Sequence, residues 1–298
     1  MTGIILLDKP KGITSFLALA KVRRIVSEKK AGHTGTLDPM ATGVLPVLLG
    51  GATRFCELLP SHEKTYRAAF SLGIKTDTLD IKGKVLKTRR VNAKAVDVIQ
   101  ALKAFEGEIE QTPPMFSAVM KDGVRLYELA RRGIEIEREK RKAVIFSIEL
   151  FRFNEERAEY EINVRCSAGT YIRSLVDDLG EKLGCGAVLT ELERTQANGF
   201  GIEQCISLEE LEKTAAQGNI QSILIPVEKA LSAYPSVSVT QAQAVRFKNG
   251  GELDLKRLDI NSLNGFYNVF SPEGQFLGLG ERREGSESFT VKRVFVPR

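Results

Sequence analysis

Residues 32–46 read GHTGTLDPMATGVLP, and a regular helix cannot run through them. Three glycines and two prolines crowd the stretch. Gly32, Gly35 and Gly43 are expected to let the backbone turn where side chains would clash. Pro39 biases Asp38 towards an extended conformation and discourages a helix through it. The stretch is therefore read as a turned connection carrying one histidine and one carboxylate. A lone Asp-Pro is most often a polar surface turn. The same backbone also lets a carboxylate point outward into a cleft.

The flanking sequence supplies regular elements. Residues 4–7 (IILL) read as a short buried strand leading into the DKPKG turn. Residues 14–27 read as a helix, with Leu19, Val22 and Val26 at helical spacing. TYRAAFSLG at 65–73 reads as a strand. Asn92 is a candidate cap for a helix through Phe105, with Val96, Ile99 and Leu102 on one face. Strands are expected at 143–153 and 158–166, the second alternating cleanly from Tyr160 to Val164. Thr170 is expected to cap a helix bearing Ile172, Leu175, Val176 and Leu179, and Ser207 with Glu210 forms a capping box. Strands and helices follow one another without regular βαβ alternation, which predicts an α+β fold with a mixed, largely antiparallel sheet and flanking helices.

The chain has 298 residues, enough for two domains. The texture changes near Ala233-Tyr234-Pro235, after which Thr240 starts a short helix and strands are expected at 266–270, 275–280 and 289–296. A division into 1–233 and a small β-rich domain 234–298 follows. Residues 112–142 carry eight Lys/Arg and five Asp/Glu, broken by two prolines and Lys121-Asp122-Gly123. They read as a solvated insertion, either a surface hairpin or an arm that grips RNA, with a short helix ending at Gly133.

No apolar run approaches the ~20 residues of a membrane span, and MTGIILLDKPKG has no long apolar region of a secretion signal. The four cysteines are scattered and only His33 and His62 accompany them, so no zinc spacing exists. Reduced thiols and a cytoplasmic location are expected. The net charge is +5, but it is uneven. Residues 1–31 hold seven Lys/Arg against Asp8 and Glu28, and residues 75–94 hold seven against Asp77 and Asp80. Such patches suit a polyanion such as RNA, although they serve equally to solvate a surface.

The string around Asp38 closely resembles the catalytic motif of the TruB family of tRNA pseudouridine synthases, and the resemblance extends over nearly the whole chain. It implies the pseudouridine synthase fold with a C-terminal PUA domain. It implies Asp38 as the nucleophile that attacks C6 or C1′ of a flipped-out uridine. Lys9-Pro10 in LLDKPKG resemble the family's first motif and are expected to shape the floor beneath the catalytic loop. Tyr66 in EKTYRAAF resembles the family's active-site tyrosine, expected to stack on the target base and, as a catalytic residue, to assist proton removal at C5. In CSAGTYIRSL, Arg173 is expected to keep Asp38 charged and Tyr171 to line the base pocket. Leu192 in LTELERTQANGF resembles the leucine of the uracil pocket, and His33 is expected to replace the extruded base.

The implied reaction is the isomerisation of uridine 55 in the tRNA T-loop. It breaks one glycosidic bond and makes another without redox change. No cofactor or metal is expected, and the chain has no G-x-x-x-x-G-K-[ST] or G-x-G-x-x-G loop. The expected partner is tRNA, bound at the T-arm and by the C-terminal domain at the acceptor end. No membrane and no guide RNA are expected, and the chain is expected to be a monomer. Two alternatives stand beside this reading: the catalytic subunit of a guide-RNA complex, and an RNA chaperone without catalysis. The chain departs from the family pattern at Glu193 and Gln196, where positive charge is common. It departs again in TSFLALAK, where many relatives have a histidine after the serine.

Overall fold

The computed structural model describes residues 1–260 and 263–297. The elements begin with β1 (Gly3–Lys9), α1 (Ser15–Ile25), β2 (Ala31–His33), β3 (Thr42–Leu49), β4 (Lys64–Leu72), β5 (Ile74–Thr76) and β6 (Val85–Thr88). Next come α2 (Ala95–Lys103), β7 (Gly107–Gln111), β8 (Met120–Lys121), β9 (Val124–Arg125), α3 (Leu126–Arg131), β10 (Arg141–Asn154), β11 (Glu159–Cys166), α4 (Ile172–Lys182) and β12 (Ala187–Ala197). The remainder comprises β13 (Phe200–Gly201), α5 (Leu208–Ala216), α6 (Val227–Ala230), β14 (Ser236–Ser238), α7 (Gln241–Lys248), β15 (Leu253–Asp254), β16 (Gly265–Phe270), β17 (Phe276–Arg282) and β18 (Ser288–Val294). Two compact units result, one of Met1–Pro39, Val44–Ser61 and Asn198–Arg298, the other of Met40–Gly43 and His62–Ala197. The boundary expected at 233 falls inside the first unit.

In the first unit, β2 pairs antiparallel with β3, placing His33 opposite Val47, and β1 lies beside β3. Thr14 caps α1 by accepting the Leu17 amide at 3.1 Å. The helix buries Ala18, Val22 and Val26 against Leu45, Val47, Leu49 and Leu211; Leu19 is only partly buried, because Ala18 takes the inward position. The Ser207–Glu210 capping box forms as expected, with both reciprocal bonds made. The C-terminal strands form their own five-stranded sheet in the order β14-β16-β17-β18-β15, around Val237, Phe247, Tyr267, Val269 and Phe289. Thr240 caps α7. The segment around Tyr234 is well tied: its hydroxyl donates to the Leu58 carbonyl at 3.1 Å, and Asn268 donates to the carbonyls of Leu231 and Tyr234. A second core joins Ile4, Leu48, Phe55 and Leu58 to Leu231, Phe276 and Leu279.

In the second unit, Thr42 and Gly43 pair parallel with Glu193 and Arg194 of β12. From β12 the sheet continues antiparallel through β4, β11, β10 and β7. Alternation buries Tyr66, Ala68 and Phe70 of β4 with Tyr160, Ile162 and Val164 of β11. Gly43 has φ +100, and a Cβ there would collide with the Arg194 carbonyl. Gly32 needs no such freedom: it lies in β2 and nothing approaches its Cβ position.

Two helix readings are corrected here. In α2 the buried residues are Ala95, Val98, Ala101 and Leu102, while Val96 and Ile99 are exposed. Two apolar stripes overlap in this helix, and the smaller residues occupy the packed one. Its first amides are taken by carboxylates, Lys94 by Asp97 and Ala95 by Glu155, each at 2.8 Å, so Asn92 is not the cap. Thr170 does not cap α4 either; its hydroxyl donates to the Ser167 carbonyl.

Candidate active site

Asp38 sits in the connection between β2 and β3 and is partly exposed. The backbone on both sides of it is fixed by the turn before α1. Ser15 is buried, and its hydroxyl accepts the Leu37 amide at 2.8 Å and donates to the Leu37 carbonyl at 3.1 Å. The Gly12 amide donates to the Pro39 carbonyl at 2.7 Å. Lys9 holds that turn in shape: it is 0 % exposed, and its ammonium donates to the carbonyls of Pro10 and Ile13 at 2.8 and 2.9 Å. A buried lysine among carbonyls makes charge-assisted bonds, stronger than neutral ones. Lys9 and Pro10 thus belong to the support of the Asp38 loop, and His33 stands at its entrance, partly buried at the end of β2. This cluster lies wholly in the first unit.

The second unit carries the other predicted residues. Tyr66 lies opposite Arg194, and Leu192 opposite Ala68. Tyr66 and Leu192 are therefore diagonal neighbours on one sheet face, roughly 7–8 Å apart by general strand geometry. Both are buried. Lys64 occupies the same face two residues before Tyr66. Burial, then the charge of Arg194, lowers its pKa to about 8. The adjoining Cys166 thiol is pushed up to about 11 by burial.

Arg173 is 5 % exposed in the first turn of α4. It donates to the Thr78 carbonyl at 3.1 Å and the Phe116 carbonyl at 2.9 Å, and Asp80 lies 3.9 Å away. It thereby ties α4 to the β5–β6 hairpin and to the start of the 112–142 insertion. Tyr171 precedes α4, and its backbone is clamped by a residue that sequence reasoning missed. The buried Gln111 side chain accepts the Tyr171 amide at 2.9 Å and donates to its carbonyl at 3.1 Å.

Ser15 was also missed as a loop support. A serine at the start of a helix reads as a cap, and nothing in the sequence points it at Leu37. Part of the 75–94 basic patch is structural: Lys75 bridges Asp177 and Glu181 at 3.0 Å, and Arg89 bridges Glu181 at 2.9 Å. A cavity of about 490 Å³ lies under the insertion, lined by Lys75, Met115, Phe116, Arg138, Asp177 and Asp178 among others. None of the predicted site residues lines it.

Residues 23–172 match the family model described as TruB family pseudouridylate synthase, N-terminal domain, and residues 173–232 match that of the tRNA pseudouridylate synthase B C-terminal domain. The tRNA pseudouridine synthase B of Clostridium tetani is 45 % identical over 298 residues, covering 99 % of this chain and 100 % of its own length. That of Thiobacillus denitrificans is 46 % identical over 283 residues, covering 95 % and 93 %. Among solved structures, a chain of a Cbf5-Nop10-Gar1 complex superposes with a TM-score of 0.76 at 29 % identity, covering 99 % of this chain and 85 % of that one. A chain of an H/ACA RNP bound to a substrate RNA containing 2′-deoxyuridine gives 0.74 at 27 % identity, covering 99 % and 86 %.

Proposed function

Since the chain belongs to the TruB family of pseudouridylate synthases and has the pseudouridine synthase fold, we propose that it isomerises uridine 55 in the T-loop of tRNAs to pseudouridine, with Asp38 as nucleophile and no cofactor. The observation that carries this reading is the Asp38 loop. Its backbone is bonded at Leu37 and at Pro39 while Asp38, the residue between them, stays partly exposed. A nucleophile held this way needs little reorganisation to meet its target.

The target uridine is extruded from its stack at a cost of a few kcal/mol. His33 fills the space the base leaves. Tyr66 and Leu192 clamp the base, and Tyr171 lines its pocket. Asp38 attacks C6 of the ring or C1′ of the sugar. The bond between C1′ and N1 breaks, the freed uracil turns and C5 bonds to C1′. The bond from Asp38 to the nucleotide then breaks, C5 loses its proton and N1 takes one up, so enzyme and atom count are restored. The positive charge of Arg173 keeps the carboxylate ionised, the form able to attack carbon. The C-terminal sheet, in the place expected for a PUA domain, takes the acceptor end. The enzyme works as a cytoplasmic monomer.

Asp38→Asn is expected to abolish tritium release from a C5-labelled T-arm hairpin while binding stays within about tenfold, ~1.4 kcal/mol. Pseudouridine formed by that variant would overturn the nucleophile assignment. The likeness to H/ACA chains favours one second reading, catalysis within a guided complex. Modification of the hairpin by the chain alone excludes it; dependence on added guide RNA or proteins supports it. Binding of tRNA by the wild type without tritium release would favour a chaperone.

A further inference from the structure

Helix α1 begins with a side chain that the fold does not use. Phe16 is 77 % exposed and Leu17 beside it 45 %. The packed residues of the helix are Ser15, Ala18 and Val22, so Phe16 faces away from the core. Scattered apolar residues on a surface need no explanation, but the position of this one is specific. It follows Ser15, whose hydroxyl is bonded to Leu37, and Asp38 follows Leu37. Phe16 and Asp38 are thus each one residue, about 3.8 Å of chain, from the same hydrogen-bonded pair. Both belong to the first unit.

Charge on the same helix face says what such a ring would meet. Positions 16, 20, 23 and 24 share a face by helical spacing. Ala20 is small and partly buried, and Arg23 and Arg24 are exposed. The two arginines stand about 11–12 Å along the helix axis from Phe16. The first turn holds no acidic residue. An exposed ring followed by cations on one face is the chemistry that takes an unstacked base and its phosphates. An apolar protein partner would leave both arginines without anions.

We propose that Phe16 is a stacking platform for an unpaired nucleobase of the RNA held at Asp38, with Arg23 and Arg24 taking phosphates further along the strand. The inference rests on the RNA-modifying reading above. Phe16 orients the substrate and takes no part in bond making.

The chain contains no tryptophan, so Phe16→Trp introduces a single fluorophore at the platform. In an Asp38→Asn background, an unmodified full-length tRNA transcript is expected to quench that fluorescence on binding. In the otherwise wild-type enzyme, Phe16→Ala is expected to raise KM for the transcript about five- to fiftyfold, with kcat within twofold and an unaltered thermal midpoint. Arg23→Ala with Arg24→Ala is expected to flatten the dependence of log K on log salt by about 1.4, ~0.7 for each lost single-strand contact. Tight binding without quenching, together with a KM within twofold of wild type for Phe16→Ala, overturns the platform while leaving the isomerase reading intact. Quenching by a transcript that the wild-type enzyme never isomerises leaves the platform standing and sinks the isomerase reading instead.

Discussion

The loop that carries Asp38 and the sheet face that carries Tyr66 and Leu192 are held by different forces. Around Asp38 the work is done by hydrogen bonds from Ser15, Gly12 and Lys9 to backbone groups. Leu37, Met40 and Ala41, close to Asp38 in the chain, are buried, so a lost bond is expected to shift the loop locally while these apolar anchors stay packed. Tyr66 and Leu192 instead take their places from strand register and burial. A change there disturbs packing across several strands. The difference teaches that geometry and stability separate in one region and are fused in the other.

Leu192→Ala tests the fused region and should have the largest effect on stability. A large-to-small change at a buried leucine costs about 2–5 kcal/mol. The loss should appear in urea unfolding, with activity falling alongside. A stable but inactive variant would mean that Leu192 serves the pocket without serving the core. Lys9→Met should come next in stability, costing about 2 kcal/mol through the carbonyls left without a charged donor. Its kcat should drop about a hundredfold, since a displacement of about 1 Å at a nucleophile has that scale.

Ser15→Ala separates the two quantities most sharply. Stability should fall by about 1–1.5 kcal/mol, while kcat on the hairpin falls tenfold or more and binding holds. Unchanged turnover would show that the loop keeps its shape without this pin.

Lys64 offers a pH test of the sheet face. Its pKa is lowered from 10.5 to about 8, so between those values the unfolded chain binds more protons than the folded one. Stability should therefore rise with pH across that window, by at most ~1.4 kcal/mol per unit. Urea midpoints of wild type at pH 7.5 and 9.5 should show a gain that Lys64→Met lacks. Ser207→Ala is the baseline: about 1 kcal/mol for a lost cap and no change in turnover, because among the described residues the Ser207 hydroxyl bonds only within its own turn, at Glu210.

Much of this was legible in the residues. Alternation of Tyr160, Ile162 and Val164 identified β11, and the Ser207–Glu210 spacing identified the start of α5, because both signals are local. The resemblance singled out Asp38, Lys9 and Pro10, and the structure brings them into one cluster. Val96 and Ile99 misled because α2 offers two apolar stripes, and only tertiary packing chooses between them. Strands β14 and β15 were missed because two or three residues carry no readable period. Gln111 and Ser15 escaped because their partners, Tyr171 and Leu37, are distant in sequence, and a single polar side chain bears no mark of its partner. Arg173 was read through the charge of one carboxylate; its carbonyl partners at Thr78 and Phe116 had no sequence signal at all.

The aromatic cluster of the first unit joins Phe55 to Phe276 and Phe295, residues far apart along the chain. Phe55 lies 6.0 Å from Phe276 and 6.1 Å from Phe295, ring to ring, within the core that also contains Ile4 and Leu48. A stop codon near position 233 would consequently strip Phe276, Leu279 and Phe295 from beneath the amino-terminal strands. Lineages that shorten this protein, or recombine its tail with another, must first invent a replacement lining for Phe55.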